Sequence, residues 1–217
     1  MASGMPVIRD SEGNLHGHSL RWRGGVQLTA VASMTIEQIY EQFCNPPGYC
    51  DIHEHLPTLR RIAESYKNCR ILELGVREGK STSAFLAAKP ALLISVDIDW
   101  SHLNEGLKKI ESDHWIASRQ DSCYSAPGSM GFDILFVDTL HNEKHVRAEL
   151  AAHLHRCTGH VIFHDTVTNG KVGDDGGEGI WKPIEELIGN GWELEHHYEN
   201  NNGLTVLRRC AVKQEVA

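Results

Sequence analysis

The stretch Ile71-Leu72-Glu73-Leu74-Gly75-Val76-Arg77-Glu78-Gly79-Lys80-Ser81-Thr82 decides how this chain is read. Residues 70–74 form a short apolar run of strand length, residues 81–88 have the composition of a helix, and two glycines four apart join them. Gly75 permits a sharp turn and close approach of a ligand to the backbone, and Gly79 removes a Cβ where the helix starts. The middle glycine of a GxGxxG fingerprint is missing, and no glycine stands five residues before Gly79-Lys80-Ser81, as a Walker-type phosphate loop requires. A pyrophosphate ligand is therefore disfavoured. Glu73, two residues before Gly75, is expected to face the mouth of the site, where a carboxylate suits an ammonium or sulfonium group better than a phosphate.

The alternation continues outward. Residues 91–96, 114–118, 132–137 and 160–163 read as further strands, the run at 114–118 weaker and that at 132–137 strong, with helices expected near 103–111 and over 143–155. Strands and helices alternating at this length predict parallel βαβ units with right-handed crossovers. The rhythm breaks at the end, where a helix over 179–188 precedes two strand-like runs, 192–198 and 204–209, joined by Asn200-Asn201-Asn202-Gly203. An Asn-Gly turn between such runs predicts an antiparallel hairpin. The expected fold is α/β: a seven-strand, mostly parallel sheet with a C-terminal antiparallel hairpin and helices on both faces. Upstream, Thr35 can cap a helix running to about Cys44, which Asn45-Pro46-Pro47-Gly48 stops, and residues 53–67 predict a second helix. Residues 1–33, Gly-rich and polar, read as an N-terminal arm of the kind that flexes or joins subunits in a homo-oligomer; residues 34–217 read as one domain.

With 217 residues, 41% hydrophobic and 23% charged, the chain suits one sizeable domain and excludes wholesale disorder. The formal charge of −8 argues against a nucleic-acid partner held through its phosphates. All of that imbalance lies in residues 133–200, which hold 13 Asp and Glu against 5 Lys and Arg. No apolar run approaches the roughly 20 residues of a membrane span, so no membrane partner is expected. Six scattered cysteines without a CxxC pair read mainly as buried small residues of a reducing compartment, and a cytoplasmic location is expected.

Val96-Asp97-Ile98-Asp99 closes the second strand and supplies an acid 22 residues after Gly75, the position from which a carboxylate accepts both ribose hydroxyls. Glu73 and Asp97 together point to S-adenosylmethionine, a nucleoside without phosphates. On Glu73-Leu-Gly75-Val-Arg-Glu-Gly79, Val96-Asp97, Gln120-Asp121-Ser122 and Phe136-Val-Asp138, the chain resembles the class I S-adenosylmethionine-dependent methyltransferases, whose fold is Rossmann-like. The resemblance implies that Glu73, Gly75, Val76, Gly79 and Ser81 hold the methionine part of the cofactor. It places Asp97 and Ile98 at the ribose, Asp121 and Ser122 near the adenine, and Asp138 beside the methyl group. Residues 51–209 look more narrowly like the cephalosporin-hydroxylase-type and sugar O-methyltransferases. The marks are Asp51-Ile-His-Glu-His-Leu, Val137-Asp138-Thr-Leu-His141, Phe163-His164-Asp165-Thr166 and Asn201-Asn-Gly-Leu-Thr205.

Asp138 ends the fourth strand and His164-Asp165 the fifth, so a parallel sheet brings them to one edge beside the cofactor. Two carboxylates and an imidazole have the composition of a divalent-metal site. Resemblance to metal-dependent O-methyltransferases implies Asp138, His164 and Asp165 as ligands. A His-Asp pair replaces the usual all-oxygen pair, however, which speaks against Mg²⁺ and for a softer metal. An alcohol acceptor is protonated at neutral pH and needs either a metal or a base to make it nucleophilic. His141 and His164 are the favoured bases, because His145 sits a turn into the next helix. The Gly-rich residues 166–178 read as a lid that selects the acceptor. The expected activity is transfer of a methyl group to a hydroxyl of a small molecule or saccharide. Two other readings stay open: a non-catalytic S-adenosylmethionine-binding sensor or accessory subunit, and a nicotinamide-dependent oxidoreductase.

Overall fold

The computed structural model describes residues 34–124, 126 and 130–211. The expected arm over residues 1–33 lies outside the described residues. In chain order the elements are α1 (Ile36–Cys44), α2 (Leu56–Glu64), β1 (Arg70–Leu74), α3 (Lys80–Ala87), β2 (Leu92–Asp97), β3 (Trp115–Arg119), β4 (Phe132–Val137), α4 (Glu143–His153), β5 (Cys157–His164), α5 (Trp181–Leu187), β6 (Trp192–Tyr198) and β7 (Leu204–Arg209). Thr35 and Gln38 form a reciprocal capping box on α1, as the Thr-x-x-Gln spacing allows.

The sheet has seven strands in the order β3-β2-β1-β4-β5-β7-β6, with β1 to β5 parallel and β7 antiparallel to both β5 and β6. The expected fold class holds, and β7 lies between β5 and β6. Strand residues alternate between two cores. Ile71, Ile134, Phe136 and Ile162 pack against α1, α2 and α3; Leu72, Leu74, Leu135, Val137, Val161 and Phe163 face α4 and α5. Burial on both faces explains why β1, β2 and β4 read as continuous apolar runs.

Two sequence expectations differ from the structure. Residues 103–111 form only a single 3-10 turn, Leu107–Lys109. The Asn104 side chain accepts the Gly106 N–H at 2.7 Å, competing with the backbone pattern a helix needs, and Gly106 weakens it further. Strand β5 starts three residues early, at Cys157, because Thr158-Gly159 carries no apolar signal. Among the described residues no helix is long and apolar enough to cross a membrane. The six cysteines are free, with Cys50, Cys69 and Cys157 buried.

Candidate active site

Strands β1, β4 and β5 are consecutive in the sheet, so the turns that follow them, at Gly75, Asp138 and Asp165, stand side by side. Between them opens a cleft of about 350 Å³ walled by Gly75, Val76, Ser81, Asp138, His141, Asp165 and Asp174, with Asp51 and Lys80 on the opposite lip. Five of the residues expected from sequence, Gly75, Val76, Ser81, Asp138 and His141, meet there together with the expected metal ligand Asp165. Asp51, Lys80 and Asp174 were not expected as site residues. Lys80 Nζ lies 2.8 Å from Glu78 and 3.8 Å from Asp51, so the cation is already shared between two acids.

Glu73 does not face the mouth. Pleat parity puts it on the face covered by α3, the same side as Ile71, and its side chain is fully buried. Ser81 Oγ donates to one carboxylate oxygen at 2.6 Å, and Thr82 Oγ1 and Ser95 Oγ donate to the other at 2.8 and 2.5 Å. Burial pushes its pKa up to about 7 although the three hydroxyls pull it down. An acid whose pKa is raised by folding contributes most stability below its unfolded value, about 4.5, and loses it as pH rises through about 7. Glu73→Gln is therefore expected to raise unfolding free energy by roughly 3 kcal/mol at pH 8. Below about pH 4.5 it should change little. Urea unfolding at the two pH values checks this; an equal difference at both would remove the burial argument.

At the tip of β2, Asp97 accepts the Val76 and Arg77 backbone N–H groups at 2.7 and 3.0 Å and the Asp99 N–H at 2.8 Å. It thus fixes the Gly75 turn while staying partly exposed. Ile98 beside it is 68% exposed, an uncovered apolar side chain at the sheet edge. Gly79, in the left-handed region, starts α3 and packs its backbone against Leu103 and Leu107. Asp121 and Ser122 lie in the loop after β3. Ser122 is buried and its Oγ is 3.2 Å from His145, so it faces α4 rather than the cleft.

The acceptor side is a chain of acids and imidazoles. His141 Nε2 lies 3.3 Å from Asp138 and 3.1 Å from Asp165, and its Nδ1 lies 3.0 Å from Asp174. Asp174 also accepts the His141 backbone N–H at 3.0 Å, which ties the expected lid, residues 166–178, to the site. His164 Nδ1 is 3.2 Å from Asp138, while its Nε2 meets the carbonyls of Asp51 at 3.0 Å and Asn201 at 3.1 Å. Carbonyls accept only, so Nε2 carries a proton, and the carboxylate holds a second proton on Nδ1. Burial opposes charge on both rings, yet Asp138 and Asp165, with Asp174 for His141, raise each pKa to about 9. Burial would likewise raise Asp138, but the two imidazoles hold it below the usual carboxylate range. Asp165 is raised, by burial first and by Asp138 second.

The expected metal ligand His164 turns Nδ1 to Asp138 and Nε2 to two backbone carbonyls. The set whose ligand atoms all lie within 4.8 Å is instead Asp138, His141 and Asp165. Asp165 adopts φ +57 after β5, and its buried Oδ1 has no hydrogen-bond partner. An orphaned carboxylate oxygen beside a second carboxylate and an imidazole fits a divalent cation.

Residues 72–166 match a family model described as a methyltransferase domain. No curated protein matches the chain by sequence. Among solved structures, the O-methyltransferase TomG from Streptomyces achromogenes, involved in tomaymycin synthesis and in complex with SAM, superposes with a TM-score of 0.56 at 17% identity over 84% of this chain and 93% of that one. The N-methyltransferase NodS from Bradyrhizobium japonicum, in complex with S-adenosylhomocysteine, gives 0.59 at 14% identity over 81% and 99%. An O-methyltransferase from Bacillus cereus, in complex with SAH, gives 0.56 at 14% over 81% and 89%. These likenesses are of fold, and they span oxygen and nitrogen acceptors. Strand order, the Gly75 turn and the domain match over residues 72–166 agree on a Rossmann-like methyltransferase fold.

Proposed function

We propose that the protein transfers the methyl group of S-adenosylmethionine to a hydroxyl of a small molecule or saccharide. One observation carries this reading: the Gly75 turn and the Asp138–His141–Asp165 cluster wall a single cleft. In it the cofactor would be cradled by Gly75, Val76, Gly79 and Ser81, with its ribose on Asp97 and its base against the exposed Ile98. Asp121 and Ser122 contribute by fixing the loop after β3. The buried charge of Glu73, costly to the fold, acts under the turn in favour of a cationic sulfonium. Asp138 and Asp165 would orient the acceptor hydroxyl, and His141, which touches both, would take its proton. His164 positions Asp138 from behind. The acidic C-terminal half suits a cationic donor and a neutral polar acceptor.

A divalent cation would be held by Asp138, His141 and Asp165; bound there it would supply Lewis acidity that lowers the hydroxyl pKa. His141 would then serve the cation. The charged cluster in the cleft favours an enzyme over a sensor, which has no use for it, and the methyltransferase-domain match displaces the nicotinamide reading.

The test is differential. S-adenosylhomocysteine is expected to raise the melting temperature at micromolar to millimolar concentration, NADH to leave it unchanged, and radiolabelled S-adenosylmethionine to label a hydroxylated acceptor in a saccharide panel. Stabilisation by NADH alone would reverse the assignment.

A further inference from the structure

Away from the acceptor cluster, the loop after β3, which the proposed cofactor site uses through Asp121 and Ser122, meets α4 at Cys123 and His145. Asp121, Cys123 and His145 each offer one ligand atom there, all within 4.8 Å of one another. Cys123 Sγ is 3.5 Å from His145 Nδ1 and 3.9 Å from Nε2, and Nε2 also lies 3.2 Å from Ser122 Oγ and 3.4 Å from Glu149 Oε1. We propose that Asp121, Cys123 and His145 form a site for a borderline-soft divalent cation of the Zn²⁺ type, which clamps the loop after β3 onto α4.

The donor chemistry is the first argument. Sulfur, imidazole nitrogen and a carboxylate oxygen suit Zn²⁺ and exclude the hard, all-oxygen preference of Mg²⁺ and Ca²⁺. The orientation of His145 is the second. A metal-ligating histidine turns one nitrogen to the cation and donates its other N–H to a carboxylate, and Glu149 stands where that carboxylate belongs. Glu149 supplies the third, independent observation. It is fully buried; its Oε1 accepts from Thr139 Oγ1 at 2.7 Å, while Oε2 has no hydrogen-bond partner. A buried carboxylate so under-satisfied needs positive charge close by, and a cation relayed through the His145 ring provides it.

The same residues in the order Cys123, His145, Glu149 resemble a nucleophilic triad, and Asp121 decides between the two readings. Asp121 Oδ1 accepts the Cys123 backbone N–H at 2.8 Å, which holds the carboxylate beside the sulfur. An acid beside the sulfur opposes a free thiolate but favours a bound cation. The site does not depend on the proposed acceptor.

Co²⁺ is the probe, because cobalt–thiolate bonds absorb in the near ultraviolet. At pH 8 the full chain is expected to bind one equivalent with that band, and Zn²⁺ is expected to displace it. Cys123→Ser should abolish the band, Asp121→Asn should weaken Zn²⁺ in chelator competition, and Glu149→Gln should weaken it about 10- to 100-fold while sparing all three ligands. Asp138→Ala, which disables the acceptor cluster, should leave the band intact, so failure of this site and failure of the methyl-transfer reading are read separately. The proposal is overturned if wild-type protein binds Co²⁺ without the band, if it does not bind Co²⁺, or if the band survives in a folded Cys123→Ser variant. The wild-type spectrum decides even where a variant fails to fold.

Discussion

Replacing His141 by Gln is expected to lower the rate of methyl transfer by about 10²- to 10⁴-fold, the range for a positioned general base. Binding of S-adenosylhomocysteine should change far less, because the cofactor turn is built by Gly75, Asp97 and the start of α3. His141 is the group that touches Asp138, Asp165 and Asp174 at once, at 3.3, 3.1 and 3.0 Å. Those acids raise its pKa to about 9, so near neutrality the ring mostly carries a proton and cannot accept another. The wild-type rate should therefore climb roughly tenfold per pH unit and level off near pH 9. A cationic donor in the cleft moves that plateau downward. His141→Gln should lose the slope as well as the rate. Single-turnover rates from pH 6 to pH 10 check both, and a variant keeping the wild-type slope would show that the proton goes elsewhere. Activity abolished by a chelator and restored by one divalent cation would assign the step to the metal and make His141 its ligand.

The sheet was legible because its central strands are buried on both faces, which leaves unbroken apolar runs such as Ile71-Leu72 and Ile134–Val137. Residues at strand ends then fell to one edge by topology, which is why Gly75, Asp138 and Asp165 were placed together correctly. What stayed hidden was orientation. Whether Glu73 points to the cleft or beneath it depends on which pleat face α3 covers, and a single sequence does not state that. That His141 and not His164 joins Asp138 and Asp165 in the tight cluster was hidden for a similar reason: the Asn201 carbonyl that meets His164 comes from the β6–β7 turn, 37 residues along the chain. Asp174 reaches His141 across 33 residues of Gly-rich chain, where no periodicity guides a prediction. Lys80 carried no role of its own, and Asp51 was read only as the head of the Asp51-Ile-His-Glu-His-Leu mark. Their signal was proximity, since Lys80 follows Gly79 and Asp51 precedes the turn that leads into α2.

Gly75→Ala is expected to be the most damaging single methyl addition in the domain. Gly75 has φ +87, and a Cβ built there would lie 1.8 Å from the Asp138 carbonyl oxygen and 2.6 Å from its carbonyl carbon. Backbone cannot swing aside as a side chain can, and it is pinned here, since Asp138 N–H donates to the Leu74 carbonyl and Gly75 N–H to the Val96 carbonyl, both at 2.9 Å. The left-handed conformation adds its own cost for a residue with a side chain. Together these put the loss on the order of 4 kcal/mol or more, enough to unfold many domains of this size. Gly79→Ala gives the comparison. It shares a positive φ of +84, but its Cβ would meet the ends of the Leu107 and Leu103 side chains, at 2.3 and 2.9 Å, and these can repack. About 1–3 kcal/mol is expected there. Urea unfolding of both variants, with soluble yield as the fallback for Gly75→Ala, tests the ranking; equal losses would mean that the contact with Asp138 is not what fixes the turn. The ranking matters for function because the contact that forbids a side chain at Gly75 also sets the cofactor turn directly against the residue that begins the acceptor cluster. On the proposed reading a transferred methyl group would have a short distance to cross, and a glycine at position 75 is what allows the Gly75 turn and Asp138 to stand that close.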